Sequence, residues 1–203
     1  MDLKRYKIDI INKPECSEFL RKYHYLSKQG FSFRSGYNFG LFYDDILIGV
    51  CIFHTVSAWE TIKGCFGLQN KEQTGFWELG RLAMDIEHKE KNSLSWFVSH
   101  SIKLLRKLTE VRAIISYADS DFHHGYIYQA TNFKYYGLTT PKKDFRVKLP
   151  NGEYKKQSRG KTKGVEGEWR KRSQKHRYLL VFDKTLRVLW KEKKYPKGNN
   201  AAY

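Results

Sequence analysis

Tyr117–Gly137 reads YADSDFHHGYIYQATNFKYYG, and the interpretation of this stretch decides the rest of the chain. Arg112-Ala-Ile-Ile-Ser-Tyr-Ala118, which leads into it, is a short apolar run of the kind that forms a buried strand. The run delivers Asp119 to a polar turn, Asp119-Ser-Asp121, and a helical segment is predicted from Phe122 to Thr131. A strand that carries an acid to its carboxyl end and passes at once into a helix is how open α/β sheets build ligand crevices. Two histidines, two aspartates and five tyrosines in so short a stretch exceed what a plain core segment carries. A Tyr/His-rich surface turn is the other reading, and spacing alone leaves both open.

The surrounding chain bounds the answer. Its 203 residues fit one domain, or one domain with an appended arm. Apolar residues make up 40% and aromatic residues 16%, enough for a packed core. No run of eighteen apolar residues occurs, so no membrane span is expected, and the first residues, MDLKRYKIDIINK, do not resemble a signal peptide. Cys16, Cys51 and Cys65 have neither CxxC nor metal-ligand spacing, so reduced thiols and a cytoplasmic setting are expected. Net charge is +17, and it is unevenly placed: residues 138–203 hold 20 Lys and Arg against 6 Asp and Glu. Tyr154, Trp169, Tyr178, Trp190 and Tyr195 interleave with those cations, as on a nucleic-acid-binding surface. A solvated basic tail is the plainer alternative.

Upstream, Lys4–Ile11 predicts an opening strand, and Pro14 behind Asn12 and Lys13 starts a helix carrying Phe19, Leu20, Tyr23 and Leu26. His24-Tyr-Leu-Ser-Lys28 and a glycine-containing loop follow. Tyr37–Tyr43 and Ile46–Thr55, separated by Asp44-Asp45, read as a hairpin, and Glu60–Gly75 as an irregular connection. Glu78–Asp85 predicts a central strand. Asn92 is placed to cap a helix running to Leu108, with Lys89 and Lys91 beside its anion-attracting start. Downstream, Asp144–Leu149 and Tyr154–Gln157 flank a Pro150-Asn151-Gly152-Glu153 turn, predicting a hairpin. Residues 158–175 read as a mobile basic arm and His176–Phe182 as a last strand. Leu186–Trp190 suits a short strand or helix, with a frayed tail from Lys191.

This order of elements resembles the GNAT acetyltransferase-like superfamily: α/β, with a mixed, mostly antiparallel central sheet flanked by helices, here carrying a basic C-terminal extension. The resemblance places the core at residues 1–140, and a basic hairpin or arm plus a final core strand (about 176–184) at 141–203, within a single domain. It also implies an acyl-CoA-type donor, held in that superfamily by an Arg/Gln-x-x-Gly-x-Gly/Ala loop. The equivalent stretch here, residues 87–97, has no glycine, which leaves the donor open. The motifs His24-Tyr-Leu-Ser-Lys28, ELGRLAMD, Asn92-Ser-Leu-Ser95, Ser116-Tyr-Ala-Asp119 and His124-Gly-Tyr-Ile-Tyr128 with the following QATNF more closely resemble the Mom-type phage DNA modification proteins, over about residues 20–140 and the HRY strand at 176–178. The resemblance implies conversion of adenine in DNA to an N6-carbamoylmethyl form, which shields phage DNA from host restriction.

Carried over by motif, the catalytic candidates are Asp119, Tyr128, Arg81 and His24, and the donor-binding candidates are Ser95, Asn92 and Lys91. Asp119 would accept a hydrogen bond or proton from the adenine amine. Tyr128 would polarise the donor, or is simply a buried core tyrosine. Arg81 would orient Asp119, Glu78 or a donor phosphate. Lys155, Lys156, Arg159, Lys161, Lys163, Trp169, Arg170, Lys171, Arg172, Lys175 and Arg177 would grip double-stranded DNA, with Trp169, Tyr178 or Tyr37 stacking on bases once the target leaves the helix. No metal is assigned, although His123 and His124 lie near Asp119 in sequence. The alternatives are an acyltransferase of the same fold acting on RNA or a protein amine, and a DNA-binding protein without catalysis. Oligomeric state is not legible.

Overall fold

The structure is a computed structural model, and it describes residues 3–24, 32–69, 72, 74–88, 90–158, 160 and 162–198. A strand, β1 (Tyr6–Ile10), leads to helix α1 (Lys13–Tyr23) and the hairpin β2 (Tyr37–Tyr43) and β3 (Ile46–Thr55). Asn12 starts α1 in a reciprocal capping box, its side chain accepting from the Glu15 amide while Glu15 accepts from the Asn12 amide. Both hairpin-turn residues, Asp44 and Asp45, have positive φ, as a twist-matched two-residue turn demands. Next come α2 (Trp59–Phe66), β4 (Phe76–Met84), α3 (Ser93–Leu108), β5 (Ala113–Asp119), α4 (Tyr126–Ala130) and β6 (Lys134–Leu138). The chain then leaves the main sheet for β7 (Lys142–Lys148), β8 (Tyr154–Lys156) and β9 (Glu168–Arg172), and returns as β10 (Lys175–Val181).

The main sheet has the order β1-β2-β3-β4-β5-β10-β6 and is antiparallel except where β4 meets β5. Helices α1 and α2 cover one face: Phe19 and Leu20 pack with Val50 and Ile52, and Ile62 and Phe66 with Phe76 and Ile115. On the other face α3 and α4 bury Phe97, Leu105, Ile127 and Tyr128 against Phe53, Leu79, Ile114 and Tyr178. Facing apolar layers on both sides explain the unbroken hydrophobic runs of β3 and β5.

Two features of the central strands shape the site. Parallel pairing between β4 and β5 covers only Phe76–Leu79 against Ala113–Ser116, after which the strands part. Ser116 marks the fork, its hydroxyl donating to the Leu79 carbonyl at 2.8 Å. A bulge at Gly80 also interrupts the β3–β4 ladder. Simple alternation would put Glu78 and Gly80 on one face. With the extra residue, Ala83 instead packs on the α1 face while Leu82 and Met84 face α3, so Glu78 and Arg81 share the α1/α2 face.

Several sequence-based expectations need correction. Glu60–Gly75 contains α2, a short helix whose Gly64 breaks the apolar pattern. The helix expected from Phe122 starts only at Tyr126, because Phe122 and His123 turn their amides back onto the Asp119 carbonyl. The supposed mobile arm contains β9, which joins the hairpin in a second sheet of order β8-β7-β9. The described part of the tail, residues 183–198, is neither strand nor frayed. It lies along the sheet edge at β6, with Leu186, Val188 and Trp190 packed near α2, the Lys193 amide on the Tyr135 carbonyl and the Tyr195 hydroxyl on the Phe133 carbonyl. Among the described residues no helix is long and apolar enough to cross a membrane.

Candidate active site

Where β4 and β5 part, a cavity of about 550 Å³ opens on the α1/α2 side, within the range of roughly 300–1,000 Å³ usual for small-molecule sites. Glu78 and Arg81 line it from β4, Tyr117 and Asp119 from β5, His123 and Tyr128 from the segment beyond, and His24 from the end of α1. Its far wall is the root of the small sheet: Thr139, Thr140 and Lys142 on the way out, Arg172, Ser173 and Lys175 on the way back. That root is tied down by its own hydrogen bonds, from Lys175 N to Thr139 Oγ1 at 3.0 Å and from Ser120 N to the Gln174 carbonyl at 3.0 Å.

Asp119 is buried and held by three donors. Its Oδ1 accepts from the Asp121 amide at 3.2 Å, while Oδ2 accepts from Ser173 Oγ at 3.1 Å and forms an ion pair with Lys175. Register produces that pair, since Lys175 lies directly opposite Asp119 across the β10–β5 ladder. Burial pushes the Asp119 carboxyl up, but the Lys175 and Ser173 hydrogen bonds, with the Asp121 amide, outweigh it and hold the group below the ordinary carboxylate value. Lys175 therefore belongs to the site rather than to the exposed basic surface.

His24 and His123 are buried imidazoles whose pKa values burial pushes down to about 4, helped at His24 by the nearby Arg81 charge. Both are neutral near pH 7. Arg81 donates to the carbonyls of Gly80, at 2.6 Å, and Ser32, at 3.3 Å. These two bonds tie the bulge to the loop after α1. Tyr128 is both core and lining: its ring packs on Phe133 and Tyr178 at 5.6 and 5.0 Å between centroids. Gly125 has φ +77° just before α4, and a Cβ there would strike Tyr178 and Tyr128, so this glycine sets how closely α4 approaches β10.

The remaining candidates lie elsewhere. Lys91, Asn92 and Ser95 stand at the start of α3, outside the cavity lining. Asn92 is left-handed and its side chain does not cap the helix, while Ser95 Oγ donates to the Asn92 carbonyl. Lys155, Lys156, Lys163, Trp169, Arg170, Lys171 and Arg172 are exposed on or beside the small sheet. Arg159, Lys161 and Lys89 lie outside the described residues, as do Tyr25–Lys28 of the first motif. Arg177 is turned inward, donating to the Tyr136 carbonyl at 2.8 Å and lying over the Trp190 ring, so it braces the tail. Tyr178 is fully buried and cannot stack on a base, and Tyr37 packs edge-on against Trp77. Sequence reasoning missed Lys142, Thr139, Thr140 and Ser173. None belongs to a motif, and only the return of β10 beside β5 brings them to Asp119. All three cysteines are buried, and burial raises the thiols of Cys16 and Cys65 to about 12, which removes them as nucleophiles. Among the described residues no three His, Cys, Asp or Glu side chains converge as a metal site requires.

The fold is that of the GNAT acetyltransferases. The chain is similar to the ribosomal-protein-S5-alanine acetyltransferase of Vibrio fischeri (TM-score 0.53, 11% identity, 94% of this chain and 98% of that one) and to the IAA acetyltransferase of Bacillus cereus (0.52, 10%, 87% and 99%). It is also similar to a Bacillus subtilis acetyltransferase in complex with CoA (0.50, 13%, 88% and 98%). No curated protein matches it. The Mom protein family model matches residues 5–197, and the chain belongs to that family. Fold and family together support a transferase.

The stretch before α3 holds no glycine and turns several of its amides onto its own oxygens. The amides of Glu87, His88, Glu90 and Ser93 are turned onto the chain's own oxygens, at Asp85 Oδ1, Asp85 O, His88 O and Glu90 O (3.0, 3.3, 3.1 and 3.1 Å). Those four amides are occupied, and the stretch carries Lys91 beside the Glu87 and Glu90 carboxylates.

Proposed function

We propose that the chain modifies the exocyclic amine of adenine in DNA, giving the N6-carbamoylmethyl base that protects phage DNA from restriction. One observation carries this reading: the Asp119 carboxylate opens into a nucleoside-sized cavity whose outer wall is the cationic root of the exposed basic sheet. Family membership supplies the reaction class. Adenine shows N6 in the major groove, but a cavity between sheet strands is reached only by a base lifted from the stack. The basic sheet would hold the sugar-phosphate chain, with Trp169 exposed and braced edge-on against Phe145 as a ring available for stacking.

The amine of adenine is a weak nucleophile because its lone pair is delocalised into the ring. An acceptor for its proton is therefore required as the new bond forms. Asp119 is placed to align the amine, while His24 and His123 supply neutral ring nitrogens in the same cavity.

The test is the mass of deoxyadenosine nucleosides from cells expressing the chain. Wild type should yield the carbamoylmethyl product, and Asp119→Asn should reduce it about 100-fold or more while retaining DNA binding. Unmodified adenine despite tight binding would leave a DNA-binding protein without catalysis. Parental product levels in Asp119→Asn would remove that residue from the chemistry.

A further inference from the structure

The cation opposite Asp119 poses a difficulty for the chemistry just described. A carboxylate that accepts from Lys175, Ser173 and the Asp121 amide is a weakened proton acceptor. Yet Lys175 is not committed to Asp119 by burial, since its side chain keeps 26% exposure and lines the cavity. Two further cations stand beside it. Lys142 and Arg172 are direct cross-strand partners at the base of the small sheet, both are exposed, and both line the same cavity. Neither forms an ion pair among the described residues, whereas Lys156 and Arg170 further out are paired with Asp144 and Glu168. Lys143, Lys148, Lys155 and Lys171 on the small sheet form none either, but of these unpaired cations only Lys142 and Arg172 line the cavity.

We infer that Lys142, Arg172 and Lys175 form a seat for one phosphodiester of the DNA strand, and that filling this seat draws the Lys175 ammonium off Asp119. The inference rests on the proposed reading of the cavity as the site that takes the target nucleotide. A phosphate carries charge-assisted acceptors that compete directly with the carboxylate for the lysine. The groups facing Asp119 are then Lys175 from β10, His123 and Asp121 from its own loop, and Arg172 and Lys142 from the small sheet. Glu78 and Arg81 face it across the fork from β4. Of these, Lys175 is the cation bonded to the carboxylate, and it lines the same cavity as Lys142 and Arg172. Losing it leaves a buried carboxylate with fewer donors and a phosphate nearby, both of which make it a better base. The acceptor is thereby strengthened only when DNA is in place, and Lys175 acts as a positioning residue.

The experiment follows the Asp119 side-chain carboxyl carbon by NMR through a pH titration of the full chain, alone and with saturating duplex DNA. DNA should raise the Asp119 midpoint by about one pH unit or more. Lys142→Ala/Arg172→Ala should still bind DNA at low salt, with the slope of log affinity against log salt reduced by about two, and should lose the shift. Lys155→Ala/Lys156→Ala should weaken binding and keep it. Lys175→Met should start with a raised midpoint that DNA moves less than in wild type. Should that variant not fold, Lys175→Arg, which keeps the ion pair, should restore the low midpoint and the response to DNA. A midpoint unmoved by DNA in wild type, or moved equally in Lys142→Ala/Arg172→Ala, overturns the seat. If DNA moves the midpoint but cellular adenine stays unmodified, the proposed function fails and the seat stands. Modified adenine with an unresponsive Asp119 has the reverse meaning.

Discussion

His24 and His123 have a measurable cost of their own. In the unfolded chain each ring takes up a proton near pH 6.5, whereas the folded chain resists until about pH 4. Between those values the unfolded state binds more protons, so stability falls as the solution is acidified, by about 3 kcal/mol per ring at the end of the window. Asp119 acts in a lower window. Its folded-state value lies below 3.8, so its ion pair contributes fully at neutral pH and is lost only on acidification through that lowered value. Urea midpoints measured from pH 7 to pH 4.5 should therefore decline in wild type and decline less in His123→Asn. A wild-type profile flat across this range would show that the two rings are solvated.

At the scale of elements, the bulge at Gly80 decides which β4 side chains meet Asp119. A Cβ at this position would collide with the His54 ring, which is buried and held through Nδ1 to the Thr55 carbonyl at 2.8 Å. Gly80→Ala should therefore cost about 1–3 kcal/mol. His54→Ala in the same chain should return part of that loss, which thermal unfolding of the two single variants and the double variant would reveal. Additive losses would mean that the strand, not the ring, is what resists. The bulge was not legible in ELGRLAMD, because a glycine in a strand marks either a bulge or a close approach and the letters do not distinguish them. β2, β3, β5 and β10 were legible, since their apolar runs are bounded by turn residues. α4 is shorter than its sequence pattern predicts because the left-handed Gly125 and the Asp119 carbonyl, which together delay its start, are tertiary choices. The residue type of Asn92 predicts a helix cap, but its positive φ turns the side chain away from the free amides.

Over the whole molecule, the uneven charge predicts a basic C-terminal extension, and part of it forms the small sheet β8-β7-β9. The charge does not predict that sheet, because β9 alternates no apolar residues and all five of its positions are exposed. Composition alone reads such a stretch as mobile. Motif matching found the acid, the arginine and His24. It could not find Lys142, Ser173 or the true place of Lys175, which depend on a chain that leaves after β6 and returns next to β5. The fork that makes the cavity also leaves the seven-stranded sheet joined at its middle by four residue pairs, where neighbouring ladders have seven. Strands β1–β4 and the trio β5, β10 and β6 are therefore two plates sharing a short seam. Deuterium uptake should invade the amides of Trp77–Leu79 and Ile114–Ser116 sooner than those of the β2–β3 ladder, and Ser116→Ala should hasten it further. Equal protection across the sheet would mean that the layers of helices, rather than the strands, keep the two plates together.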